Sequence, residues 1–394
     1  MKQDLSVWTE ADEVAARAVG LTGARLLLDS AELSSLVDEP VTITRIRAKP
    51  GHSLVASFQT EAGDPRWAML TLDTDKLAKA RVRAAEGGQS ASFRVHTDIG
   101  PYLFSGSLWA DPVLGKDLAE ARRAMEAAAG AALPWQVLRH NPRRRVVAVV
   151  PDPRSGHGDK IVRVASMGTA AALEAAQRWR ALGLPLVRST SLGRRGTAMS
   201  SPRWGWEDLN NSPHAPAAQA AGEVVGRLHR LTRGSRRRPI PSELRSAERS
   251  ISIIAPWLAA SASRLAEGVQ ERLTAEQGVP PCELHGDLSP DQVVMAAPGS
   301  HKIRLIDFDR SGSGDPMRDV GSWLASCRRQ NLESMRVGFM DGYREHAEPD
   351  DRRAATWEAY AQLAAASDPF RHRAPDWPAQ MHTMLRLGQE ALDR

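Results

Sequence analysis

The sequence predicts an α+β chain in which two strand-rich units precede a mostly helical half. Alternating, β-branched runs cluster over 41–72 and again over 136–165, each laid out as a hairpin and a third strand. From Pro216 onwards the apolar residues fall mainly on helical spacing. Within that helical half, two short apolar runs end in carboxylates, one at Asp287 and one at Asp307. Strand runs followed by helical runs favour α+β over a doubly wound sheet.

Taken in order, residues 10–37 read as helical, with Gly20 as a stop and a second short helix over 30–37. Val41 to Arg47, Ser53 to Phe58 and Trp67 to Leu72 read as strands, separated by turns at Lys49-Pro50-Gly51-His52 and Gly63-Asp64-Pro65. A helix follows over 75–85, then short strands at 92–95 and 101–104. An Ala-rich helix over 117–133 is broken by Pro134, which places a boundary near 125–133.

The second unit has a similar layout. Arg47 and Arg139 each stand three residues before a proline, and Val55-Ala56 and Val147-Ala148 each stand five and six after it. This points to a weak internal repeat, with residues 1–130 a cap-like unit and degenerate copy of 131–200. The third strand of the second unit is Lys160 to Ala165. A helix over 169–182 carries Glu174, and short strands are expected at 185–187 and 196–200. The rest, 201–394, reads as helices around the two carboxylate runs, broken at Pro349, Pro369, Pro375 and Pro378.

With 42% hydrophobic and 25% charged residues, the chain has the composition of a globular protein with a sizeable core. No apolar run approaches the roughly 18 residues of a membrane span. The start, Met1 to Trp8, lacks an apolar leader, and the two cysteines suit reduced thiols, so a cytoplasmic protein is expected. The net charge is +5, but the densest basic runs, Arg143 to Arg145 and Arg236 to Arg238, lack interleaved aromatics, which argues against nucleic acid as partner.

Asp287 sits in a tight His-Gly-Asp turn after a short strand, where a carboxylate can be aimed at a hydroxyl. His285 fixes that turn. Asp307, a hard oxygen ligand at a second strand end, suits Mg²⁺, and Gln292 offers an amide oxygen to the same ion. Two strand ends delivering Asp to one place suggest metal-dependent phosphoryl transfer.

The ordered set His285-Gly286-Asp287-Leu288-Ser289-Pro290-Asp291-Gln292, Ile306-Asp307-Phe308-Asp309 and Gly314-Asp315-Pro316-Met317-Arg318-Asp319-Val320 resembles the aminoglycoside phosphotransferase and choline kinase family. Leu228-His229 is similar to that family's pattern as well, and the resemblance covers about residues 134–394. It implies a bilobal, protein-kinase-like fold with a small β-rich N-lobe and a large helical C-lobe, residues 1–130 lying outside as a cap. It also implies a Mg²⁺-dependent phosphotransferase using ATP or GTP. In that reading Asp287 is the catalytic residue, and Asp307 and Gln292 are metal ligands, Gln292 standing where the family usually has Asn. Asp315 and Asp319 brace the loops. Arg163 stands where a phosphate-contacting Lys is usual, Glu174 is its ion-pair partner, and Met199 and Ser200 belong to the nucleotide-facing hinge. Lys160, three residues from Arg163, falls on the opposite strand face. The loop His140 to Arg145 replaces a Gly-rich phosphate loop, its side chains and backbone amides covering phosphates.

The acceptor, a sugar, aminoglycoside-like molecule or amino alcohol, is expected among the C-terminal helices near Trp357, Tyr360, Asp368, Phe370 and Trp377. From Glu333 to Arg394 there are eleven acidic and eight basic residues, an excess that suits an amine-bearing or polyol acceptor. The departures at Gln292 and Arg163 leave a second reading, a pseudokinase-like regulator that binds nucleotide or metabolite.

Overall fold

Thr9 starts the first helix because its hydroxyl accepts the Asp12 N–H while the Asp12 carboxylate accepts the Thr9 N–H, a reciprocal cap. The computed structural model describes residues 8–153, 158–237, 239–240, 242–275 and 278–394. The reading of Met1 to Val7 as lacking a leader, and that of Arg238 in the second basic run, fall outside the described residues.

Helices α1 (Glu10–Val19) and α2 (Ser30–Val37) precede a sheet built from β1 (Val41–Lys49), β2 (Ser53–Thr60), β3 (Pro65–Thr71), β4 (Arg94–Thr97) and β5 (Tyr102–Ser107), with α3 (Thr74–Glu86) between β3 and β4. Helix α4 (Gly115–Ala129) leads to a second sheet: β6 (Gln136–Asn141), β7 (Arg145–Val150), β8 (Lys160–Ala165), then α5 (Ala170–Ala181), β9 (Thr190–Leu192) and β10 (Ala198–Pro202). The strand orders are β1-β2-β3-β5-β4 and β6-β7-β8-β10-β9, so the two sheets share one topology with a helix inserted at the same point. Residues 185–187 form no strand of their own; Leu186 makes only an isolated bridge to Leu305.

The remaining chain is helical around two small sheets. Strand β11 (Glu207–Asp208) precedes α6 (Ala215–Leu231), α7 (Leu244–Ile254) and α8 (Ala259–Ala275). Then come β12 (Cys282–Leu284), β13 (Val293–Met295), β14 (Ile303–Leu305) and β15 (Gly312–Gly314). The chain closes with α9 (Met317–Arg329), α10 (Glu333–Arg344), α11 (Asp351–Ala365), α12 (Asp368–Arg371) and α13 (Trp377–Leu392). Strand β12 pairs with β15, and β13 pairs with both β11 and β14.

Packing ties the parts together. One apolar core joins Val19, Leu27, Leu33, Ile46 and Phe58 of the N-terminal unit to residues of α7, α8, α11 and α13, among them Ile251, Leu265, Leu363 and Trp377. Leaving such a side chain in water would cost about 1.5–3 kcal/mol each. The Trp377 indole and the Arg373 guanidinium both donate to the buried Asp12 carboxylate, at 2.9 and 2.7 Å, which locks α1 to α13. Helix α4 buries Leu118, Ala121 and Met125 against Val146, Ala148, Val162 and Val164, the back of the second sheet. By packing, α4 therefore belongs with the sheet that follows it. Helices α6 and α10 approach closely because Gly222 and Gly342 face the partner's backbone, where a β-carbon would overlap the Phe339 and Gln219 carbonyl oxygens.

Cys282 and Cys327 are buried, free thiols. Burial pushes both up, Cys327 to about 12. Among the described residues, no helix is long and apolar enough to cross a membrane.

Candidate active site

Strand β12 turns at Gly286, whose φ is +85° and where a β-carbon would overlap the Arg310 carbonyl oxygen. The turn is held from behind. The Asp319 carboxylate on α9 accepts the His285 and Gly286 N–H groups at 2.7 and 2.8 Å, and meets His229 Nε2 at 3.3 Å. His229 in turn contacts the Tyr343 hydroxyl at 3.0 Å. Asp319 is fully buried; burial opposes its ionisation, but its hydrogen bonds and the neighbouring histidines win and hold its pKa low. His285 Nε2 donates to the Ile306 carbonyl at 2.8 Å, so the turn carrying Asp287 is fastened to the residue before Asp307. Asp315 accepts Met317 N–H at 3.0 Å, the Trp357 indole at 2.6 Å and Arg353 Nε, which seats the start of α9.

Asp287 is thus presented to a cleft. The walls around its carboxylate raise its pKa, against the pull of Arg310, whose Nε lies 3.7 Å away. Arg310 also faces Glu243 at 3.7 Å.

Asp307 follows β14 in the left-handed region, at φ 64°. Arg163 Nη1 donates to it at 2.7 Å, and Arg163 Nη2 to Asp309. Arg145 lies 3.5 Å from Asp307 and 3.4 Å from Asp309. Burial works against the Asp307 charge, but Arg163 and Arg145 outweigh it and lower its pKa. In Asp309 burial prevails and the pKa is raised. Two guanidiniums therefore bridge the small sheet to two carboxylates of the helical half, with Arg163 itself buried.

The expected Arg163–Glu174 pair is a correction: Arg163 is committed to Asp307 and Asp309, while Glu174 points to solvent. The buried face of α5 is Ala172, Ala175, Ala176 and Trp179, and Glu174 lies off it. Helix α5 docks instead through Arg178 and Trp179, both donating to Glu283, at 2.9 and 2.7 Å. Lys160 pairs with Asp152 at 2.7 Å, away from the carboxylate pair.

The hinge also needs correcting. Met199 and Ser200 lie inside β10, which is paired on one side with β8 and on the other with β9, so their backbone groups serve the ladder. Met199 stands opposite Arg163, which puts its half-buried side chain on the same sheet face. The connection to the helical half begins after Pro202. In the 140–145 loop, Arg143 N–H donates to Asp111 at 2.7 Å and Arg144 N–H to the Asn141 carbonyl at 3.0 Å. These amides are not free to cover phosphates; the side chains of Arg144 and Arg145 remain.

Gln292 is buried and its Nε2 donates to Asp291 at 3.1 Å, which leaves the amide oxygen as the end without a hydrogen bond among the described residues. Glu223, Glu345 and His346 converge as potential metal ligands, but they lie where α6 meets the end of α10, outside the cleft.

Asp287, Asp309, Asp291, Arg145 and Arg310 line one cavity of about 940 Å³ between the lobes. Tyr360 and Asp368, two of the residues expected near the acceptor, line it too. Phe370 and Trp377 do not: they are 2% and 1% exposed and belong to the apolar core. Trp357 packs against Tyr360 at a tilt of 54°, with centroids 4.9 Å apart. The acidic excess of the C-terminal segment does not carry into the cavity, whose lining has eight arginines against five carboxylates, so its charge is positive. Asp309, Arg310 and Arg45 were not among the expected site residues, and Arg145 was expected only as part of the 140–145 loop. Arg145 was within reach, since it stands two residues from Val147, opposite Arg163, on one strand face.

The family model for the phosphotransferase enzyme family (APH) matches residues 144–363. No curated protein matches the chain. Among solved structures, a choline/ethanolamine kinase family protein from Mesorhizobium loti is 18% identical with a TM-score of 0.51, the match covering 71% of this chain and 95% of that one. The amicoumacin kinase hAmiN, in complex with AMP-PNP, Ca²⁺ and Ami, is 14% identical with a TM-score of 0.50, over 66% of this chain and 88% of that one. Spectinomycin phosphotransferase APH(9)-Ia, in complex with ADP and spectinomycin, is 11% identical with a TM-score of 0.50, over 70% of this chain and 97% of that one. At such identities the likeness carries the fold, a bilobal protein-kinase-like arrangement to which this chain adds the N-terminal sheet unit.

Proposed function

Because the chain belongs to the phosphotransferase enzyme family, we propose that it moves the γ-phosphoryl group of ATP or GTP to a hydroxyl of a small molecule, with Asp287 as the catalytic carboxylate. The observation that carries this reading is the rigid mounting of Asp287: Asp319 from behind, His285 to Ile306 beside it, and an open cavity in front. A carboxylate so fixed orients the acceptor hydroxyl and takes its proton as the oxygen bonds to phosphorus and the bond to the leaving diphosphate breaks. Arg163 and Arg145, aligned by Asp307 and Asp309, supply positive charge for the phosphate oxygens.

Mg²⁺ is expected to take part. The fit is chemical: Asp307 and Asp309 are hard oxygen donors that already draw two cationic side chains, and the Gln292 amide oxygen is uncommitted. Asp307 would hold the ion, with Asp309 and Gln292 as further donors. When bound, it supplies charge neutralisation for the phosphate chain.

The test is a transfer assay with ATP and GTP, with and without Mg²⁺, over sugars, aminoglycosides and amino alcohols. Asp287→Asn is expected to lower kcat by about 10²–10⁴-fold while nucleotide still raises the melting temperature. Nucleotide binding with no turnover, unchanged in Asp287→Asn, would instead support the regulator reading.

A further inference from the structure

We propose that the acceptor carries an anionic group in addition to its hydroxyl, and that Arg45, Arg139, Arg329 and Arg371, drawn from all three parts of the chain, receive it. This rests on the phosphotransferase reading of the same cleft and narrows its substrate class to anionic hydroxy compounds, such as phosphorylated or carboxylated polyols.

The four arginines line the cavity that holds Asp287. Arg45 reaches it from β1 of the N-terminal unit, Arg139 from β6, Arg329 from the end of α9 and Arg371 from α12. Arg45 Nη1 lies 2.8 Å from His372 Nε2. A guanidinium only donates, so that ring nitrogen carries a lone pair and the imidazole is neutral at this contact. Burial and then Arg45 keep the His372 pKa low, which agrees. Arg329 Nη1 donates to the Gln362 amide oxygen at 3.1 Å, again a neutral partner. Among the described residues, Arg45, Arg139 and Arg329 form no ion pair with a carboxylate. Asp368 is the acidic group that acts on both Arg45 and Arg329, with Asp287 and Asp291 also facing Arg329, and Arg371 already holds Asp368 at 3.0 Å.

Burial lowers the Arg45 pKa to about 10; Asp368 opposes this, and Arg139, Arg371 and Arg145 add to it. Arg45 rests on a neutral imidazole and Arg329 on a neutral amide, so neither guanidinium has a carboxylate in hydrogen-bond contact, and a bidentate oxyanion is the ligand that matches them in shape and charge. A cationic amino sugar would raise the repulsion. The reaction leaves the anionic group unchanged: Asp287 receives the hydroxyl proton, the hydroxyl oxygen bonds to the γ-phosphorus, and the nucleoside diphosphate departs.

The test compares glucose, glucosamine, glucuronate and glucose 6-phosphate as acceptors for the full chain, which separates carboxylate from phosphate on one skeleton. It also measures inorganic sulfate binding by calorimetry. An anionic sugar is expected to exceed glucose and glucosamine in kcat/KM by about tenfold or more, and Arg45→Gln to raise its KM by about tenfold, with partial recovery in Arg45→Lys. Sulfate is expected to bind the wild type and to weaken by a similar factor in Arg45→Gln. Preference for glucosamine or glucose, a KM change in Arg45→Gln for nucleotide rather than acceptor, or absence of sulfate binding overturns the proposal. If no sugar is phosphorylated, sulfate binding decides it. Loss of nucleotide-induced stabilisation would fall on the phosphotransferase reading, and is read separately from the sulfate titration.

Discussion

In the proposed reaction Asp287 works beside Arg310, and the coupling of the two has a measurable sign. The protein walls raise the Asp287 pKa and Arg310 restrains the rise. The carboxylate must be ionised to take a proton, so activity rises with pH through its pKa, and the acidic limb lies above that of a free Asp, about 3.9. Arg310→Gln removes the restraint, and the limb of kcat/KM is expected to move to higher pH; a shift to lower pH would contradict the assignment. At this scale the sequence showed Asp287 and Asp307 because each sits in a short, punctuated motif. It hid Asp309–Arg145 and Arg45–His372 because those partners lie 164 and 327 residues apart, and no local period reports such a meeting. Glu174 was misassigned although its own helix gave the phase: Ala172, Ala175, Ala176 and Trp179 follow one stripe, and Glu174 falls off it.

Among the elements, helix positions were legible and helix distances were not. The spacing Val224, Val225, Leu228 marks the inner face of α6, yet nothing in it says that Gly222 meets the α10 backbone. Gly222→Ala is expected to force α6 and α10 apart and to destabilise the chain by about 1–3 kcal/mol, seen as a lower urea midpoint; an unchanged midpoint would mean that the helices slide without loss. The strand expected at 196–200 lies close to β10, but its central place between β8 and β9 is a property of sheet order. That order decides that Met199 and Ser200 have no free backbone to offer a nucleotide.

For the whole molecule, the N-terminal unit is structural as well as a wall of the cleft. Its α1, α2 and first sheet share one apolar core with α7, α8, α11 and α13, and Asp12 anchors Arg373 and Trp377. Removing residues 1–107, which leaves α4 on the second sheet, would expose that core, and the shortened chain is expected to aggregate or to lose cooperative unfolding in calorimetry; a well-behaved, cooperatively melting fragment would show the unit to be dispensable for folding. The resemblance began near residue 134 and so said nothing of this dependence. The matching hairpins were visible in the spacing around Pro50 and Pro142, whereas the common strand order of the two sheets is seen only in three dimensions.

The two buried thiols also bear on how this protein can be watched. Cys282 opens the strand that leads into the Asp287 turn, and Cys327 lies near the end of the helix whose Asp319 braces that turn. Both are sealed and held in the unreactive protonated form. Alkylating reagents therefore reach them only in moments when the helical half opens. The unmodified chain carries its own clock for that opening, and the change in labelling rate on adding nucleotide or an anionic acceptor reads, in time, how firmly each one closes it.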